Sequence, residues 1–225
     1  MVAARIQRAK NPRQSILRAG DEKDGSLRAQ TIVMNKRIIV VHGWDGYPEE
    51  GWFPWLKGLL ESRGFTVIIP AMPSPAYPKI EEWVPYLSHI IGTPDEQTYL
   101  IGHSIGCQTI MRFLQTKNQK VGGVIFVAGW FNLLPESIAD EESQAIARPW
   151  IETPINYERV MRAANVIVAI FSDDDPAVPL SDAELFRERL GATIIVERGK
   201  GHFSGSDNIT TLPVVAEQLF ALAAA

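Results

Sequence analysis

The chain has 225 residues, 46% of them apolar, with 22 Lys and Arg against 26 Asp and Glu for a formal net charge of −4. That length suits one domain with a full core, and a slightly acidic balance gives no overall attraction to nucleic acid. A single cysteine, Cys107, excludes an internal disulfide, four histidines without ligand-like spacing argue against a metal site, and no apolar run is long enough to span a membrane.

Residues 1–33 differ from the rest of the chain. Arg5, Arg8, Lys10, Arg13, Arg18, Lys23 and Arg28 make the segment basic, and it has no sustained apolar period. It is expected to be a disordered tail ahead of a domain over 34–225. A transit-type targeting peptide, an arm for an anionic surface and an upstream extension of the domain are the other readings. No signal-peptide core follows Met1, which together with the lone cysteine gives a cytoplasmic expectation.

From residue 37 the pattern is regular. Arg37-Ile38-Ile39-Val40-Val41 is a short apolar run, the mark of a strand buried on both faces. His42-Gly43-Trp44-Asp45-Gly46 ends it as a loop. Trp52, Trp55, Leu56, Leu59 and Leu60 fall at helical spacing and predict a helix over 52–62, closed by Gly64. A strand is expected over 65–69, then a loop through Met72-Pro73-Ser74-Pro75. A helix is expected over 80–91, kinked or started late by Pro85. Further strands are expected over 99–101, 121–127, 166–171 and 192–196. Helices are expected from Gln108 onward, near 157–163, over 181–190 and over 212–222, with Ser181 and Glu184 forming a capping box on the third of these. Residues 128–165, with Pro135, Pro149, Pro154 and the acidic group Asp140-Glu141-Glu142, give no clear pattern beyond that one short helix.

Strands alternating with helices predict a doubly wound α/β sheet of about six parallel strands, with helices on both faces and right-handed crossovers. In such sheets the functional groups lie just beyond the carboxyl ends of the strands. Gly102-His103-Ser104-Ile105-Gly106 lies there, between the strand ending at Ile101 and the helix that follows. G-x-S-x-G at a strand-to-helix turn is the pattern of a nucleophile elbow. Side chains at positions 102 and 106 would collide with the neighbouring strand and helix. The turn exposes the Ser104 hydroxyl and aims the Ile105 N–H at a developing oxyanion.

A serine hydroxyl needs a base, and the base needs an orienting acid. Asp173, Asp174 and Asp175 follow the strand over 166–171, and Gly201-His202-Phe203 follows the last strand. The order Ser, Asp, His fits an α/β-hydrolase. Asp175 is the preferred acid because Pro176 fixes the backbone after it, with Asp173 as the second choice. The His42-Gly43-Trp44 loop offers a second oxyanion donor, assigned to the Trp44 N–H. Trp44, Trp52, Trp130, Phe131 and Trp150 are candidates either for the wall of an apolar cleft or for the core.

With these residues in view, the chain resembles the small serine hydrolases of the retinoblastoma-binding-protein-9 and bacterial YdeN type. The shared features are the His42-Gly43 loop, Trp52-Phe53-Pro54-Trp55-Leu56, Met72-Pro73, Gly102-His103-Ser104, Arg148-Pro149-Trp150, Asp175-Pro176 and Gly201-His202-Phe203, within roughly residues 36 to 222. The resemblance implies a compact α/β-hydrolase without a large lid and a triad falling on Ser104, Asp175 and His202. The L-x-C-x-E motif associated with pocket-protein binding does not occur in this chain, so that partner is not implied.

The expectation is therefore a monomeric serine hydrolase of carboxylesterase type. Its substrate is a small ester, thioester or amide, with no cofactor and no nucleic-acid or membrane partner. The alternative is a protein-binding module on the same fold with incidental turnover.

Overall fold

The computed structural model describes residues 36–224, so the basic segment 1–33 lies outside the described residues. Six strands form one sheet: β1 (Arg37–Val41), β2 (Thr66–Ile68), β3 (Thr98–His103), β4 (Gly123–Val127), β5 (Ile167–Ser172) and β6 (Thr193–Glu197). The order is β2-β1-β3-β4-β5-β6 and every neighbouring pair is parallel. The winding reverses between β1 and β3, which opens a crevice beyond their carboxyl ends.

The central strands are apolar throughout because both of their faces are covered. Ile39, Val41, Leu100, Val124, Phe126 and Ala169 enter one core, and Ile38, Val40, Ile101, Ile125, Val127 and Ile170 enter the other. The period of two along each strand divides the side chains this way. The second core is closed by α1 (Phe53–Glu61) and α7 (Pro213–Ala224). The first is covered by α2 (Ile80–Ile91), α3 (Ile105–Leu114), α4 (Glu141–Glu152), α5 (Tyr157–Arg162) and α6 (Asp182–Leu190). No helix among the described residues is long and apolar enough to cross a membrane.

Three local expectations change. α2 starts at Ile80 and carries Pro85 inside it, so the proline does not delay the helix. Ser181 has helical backbone angles and its side chain makes no cap, while Glu184 pairs with Arg187, so no capping box forms. The next residue, Asp182, is fully buried and accepts from the Phe131 and Asn132 N–H groups. The third change is α4 itself, which sequence patterning leaves unassigned. Its cap is Asp140, which accepts from the Ser143 N–H at 2.8 Å, and Glu141 and Glu142 sit favourably at the positive end of the helix dipole.

Candidate active site

Ser104, between β3 and α3, sits at φ 53°, ψ −122°. A non-glycine residue there costs on the order of 1–3 kcal/mol and persists only when its surroundings hold it. Here the Ser104 N–H donates to the Val127 carbonyl, and its own carbonyl accepts from the Cys107 N–H, both at 2.9 Å. The flanking glycines make the turn possible. A Cβ on Gly102 would lie 2.8 Å from the Cys107 nitrogen, and one on Gly106 only 2.3 Å from the Val41 carbonyl oxygen. Cys107, behind the serine, is buried, and burial pushes its thiol pKa well up, so it is no competing nucleophile.

The structure brings Ser104, His202 and Asp175 together. The His202 Nδ1 lies 2.9 and 3.0 Å from the two Asp175 carboxylate oxygens. A carboxylate there requires Nδ1 to be the donor. Nε2 is then the acceptor for the Ser104 hydroxyl, 2.8 Å away. The Asp175 side chain is 3% exposed and that of His202 18%, so the chain of contacts runs from the interior out to the cleft. Asp175 Oδ1 also accepts the N–H groups of Ala177 and Val178, at 2.8 and 3.0 Å. Asp173, the second choice, turns instead to the Gly199 N–H at 2.9 Å.

The loop carrying His202 is gripped on all sides, by residues that include His103 and Asp207, to which sequence reasoning gives no such role. The His103 Nε2–H donates to the His202 carbonyl at 2.7 Å. Asp207 accepts from the N–H groups of His202 and Ser204, each at 3.0 Å. Asp174 accepts from the Gly201 N–H at 2.9 Å and from the Ser172 hydroxyl at 2.6 Å, bonds that hold its carboxyl pKa below the usual value. Trp52 donates its indole N–H to the Phe203 carbonyl at 3.0 Å. Burial, with the neighbouring His202 adding to it, pushes the His103 pKa down to about 3, so His103 stays neutral and serves as a donor. The one sequence signal for this set is the run Ser204-Gly205-Ser206-Asp207, a composition that favours side-chain-to-backbone turns.

The loop after β1 lies against the elbow. A Cβ on Gly43 would be 3.0 Å from His103 Nδ1 and 3.4 Å from Ser104 Cβ, so glycine allows the approach. The fully buried His42 fixes this loop. Its Nδ1–H donates to the Gly43 carbonyl at 2.8 Å and its Nε2 accepts from the Met72 N–H at 3.0 Å. Burial lowers the His42 pKa, which preserves the neutral form these two bonds need. Neither the Trp44 nor the Ile105 backbone N–H has an acceptor among the described residues. For Ile105 this follows from its place at the start of α3, where N–H groups have no partner within the helix.

These groups border a cavity of about 390 Å³. Of the five aromatic candidates, Trp44 and Trp130 line it, Trp130 from within the core, while Trp52, Phe131 and Trp150 belong to the core alone. Trp130 is held from behind by Gln108, whose side-chain amide donates to its carbonyl at 2.7 Å. Among the described residues no three His, Cys, Asp or Glu side chains converge as a metal site.

The sequence and the fold are similar to those of known proteins. The family model described as serine hydrolase matches residues 38–221. YdeN of Bacillus subtilis is 32% identical over 189 residues, covering 83% of this chain and 95% of its own. Its crystal structure superposes with a TM-score of 0.78 at 30% identity, over 85% of this chain and all of that one. Rat serine hydrolase RBBP9 is 27% identical over 186 residues, 81% of this chain and 94% of its own. Est1E of Butyrivibrio proteoclasticus, in a structure with ferulic acid bound, shares the fold at 16% identity, with a TM-score of 0.66 over 87% of this chain and 92% of that one.

Proposed function

Because the chain belongs to the serine hydrolase family, we propose that it cleaves a small carboxylic ester, thioester or amide by acyl transfer, using Ser104, His202 and Asp175. The observation that carries this reading is the unbroken run of contacts from the Ser104 hydroxyl through both ring nitrogens of His202 to Asp175. Neutral His202 takes the Ser104 proton at Nε2 as the Oγ bond to the carbonyl carbon forms. The electron pair displaced onto the carbonyl oxygen is met by the free N–H groups of Ile105 and Trp44. Collapse of this intermediate breaks the bond to the leaving group, which takes the proton from Nε2. Water then repeats the sequence on the acyl-enzyme and releases the acid. Asp175 holds the tautomer that makes Nε2 basic and stabilises the imidazolium in each half.

In this reading the partner is a small molecule and one chain suffices, since all three groups come from it. The chemistry asks for no cofactor. A fluorophosphonate probe should label the wild type covalently and leave Ser104→Ala unlabelled. The same variant should lose turnover of a nitrophenyl ester by several orders of magnitude, on the order of 10⁴ or more, with its circular dichroism unchanged. Labelling that persists in Ser104→Ala sinks the assignment. A wild type that neither labels nor turns over favours the protein-binding alternative.

A further inference from the structure

We infer that the cleft seats a short, uncharged acyl chain on its Trp130 side and releases a polar, non-anionic alcohol, thiol or amine past Ser204; this rests on the reading of Ser104 as nucleophile. The two sides of the cavity come from different halves of the molecule. Ile105 and Trp130 are part of the core on the α3 face of the sheet, and Trp44, Leu133 and Ala177 pack against that same core. The residues beside His202 are polar: Glu50, Ser204, Ser206 and Asp207. The loop of the last three is anchored by Phe203, which is buried in the opposite core. The cleft therefore straddles the edge of the sheet with an apolar side and a polar side.

The chemistry orients the substrate between them. The leaving group must take its proton from His202 Nε2, so it departs on the polar side. The oxyanion faces the Ile105 and Trp44 N–H groups. The remaining substituent of the reacting carbon, the acyl chain, is left with the apolar side. Leu133, just before the 3₁₀ turn at Pro135–Ile138, and Ile138, the last residue of that turn, limit its length. A volume of about 390 Å³ is near the lower end of ligand sites and suits a small substrate. Among the described residues no lysine or arginine lines the cavity, while three carboxylates, Asp45, Glu50 and Asp207, do. An anionic leaving group would meet repulsion from these three side chains.

The test uses the full chain and nitrophenyl esters from acetyl to decanoyl, with two butyryl thioesters, one of coenzyme A and one of uncharged N-acetylcysteamine. From acetyl to butyryl, kcat/KM should rise about fourfold per methylene, the value of burying that group, and it should have fallen by decanoyl. Leu133→Ala should move the optimum toward octanoyl. Ile138→Trp should lower the butyryl-to-acetyl ratio about tenfold, as filling a pocket of a few methylenes does. The coenzyme A thioester should react at least about tenfold more slowly than the uncharged one, the gap narrowing with added salt. A profile flat through decanoyl, or preference for the coenzyme A thioester, in a wild type still labelled at Ser104 overturns this inference alone. Absence of labelling overturns the nucleophile reading and this inference with it.

Discussion

Three successive aspartates at the end of β5 have three different partners, and the partners separate their expected roles. Asp173 caps Gly199, Asp174 caps Gly201 and Ser172, and Asp175 meets both the His202 ring and two backbone N–H groups. Asp175→Asn should therefore cut ester turnover by about 10² or more, because an amide N–H facing Nδ1 favours the wrong tautomer. Asp173→Asn keeps an oxygen for Gly199 and should stay within roughly a few-fold, as substitutions on exposed loops do. Equal losses in the two variants, measured with folding checked by circular dichroism, would overturn this division. Sequence reasoning reaches Asp175 through Pro176. The structure supplies a different cause, the Ala177 and Val178 N–H groups that grip the carboxylate. A pattern of residue types cannot show such bonds, nor those of His103, which depend on the loop that folds over it from 99 residues away. His103 also predicts a pH response. Unfolded, it titrates near 6.5, and burial pushes it to about 3 in the folded chain. Between those values only the unfolded chain binds the proton, so stability is complete above 6.5 and falls as pH falls toward 3. His103→Gln removes this titration, and from about pH 7 to about pH 4.5 it should lose on the order of 2 kcal/mol less than wild type in urea unfolding. An identical loss in both proteins would show that His103 carries no such linkage.

Two helices carry glycines with opposite demands. Gly58, inside α1, has nothing within 4 Å of where a Cβ would stand. Gly58→Ala should raise stability by about 0.5–1 kcal/mol through helix propensity alone. Gly106 opens α3 against the Val41 carbonyl, a backbone atom with little freedom to retreat, so Gly106→Ala should cost more than about 3 kcal/mol and impair turnover by moving the loop after β1. Denaturant midpoints for the pair check both signs, and a neutral Gly106→Ala would show the elbow to be far softer than described. At this scale the sequence is most legible where an element is apolar or evenly periodic, as in β1, β3 and α1. It is least legible in α4. There the buried side chains reduce to Ala147 and Trp150, and Pro149 interrupts the expected pattern. The acidic group Asp140-Glu141-Glu142, part of the stretch without a clear sequence pattern, is the cap and first turn of this helix. Its last turn is secured by the buried Arg112, which donates to the Trp150 carbonyl at 2.7 Å and the Thr153 carbonyl at 3.0 Å. Such a contact between segments about forty positions apart leaves no local sequence signal.

At the scale of the whole molecule, the reversal of winding between β1 and β3 places the His42-Gly43-Trp44 loop beside the Ser104 elbow, and the succession of β5 and β6 places Asp175 beside His202. Chain order and strand spacing are enough to anticipate that meeting point, because a parallel sheet puts every strand's carboxyl end at the same edge. The family model spans 38–221, and the matched part of this chain accounts for 95% of YdeN. From that overlap we expect the domain over 34–225 to fold without residues 1–33, whose basic sequence has no apolar period with which to pack. A chain of residues 34–225 should melt within a few degrees of the full chain and turn over a nitrophenyl ester at the same rate. For a domain of this size about 1 kcal/mol corresponds to roughly 2–4 °C. A fall in Tm beyond about 4 °C, or a loss of turnover in a chain that still melts cooperatively, would mean that the basic segment supports the domain or its cleft.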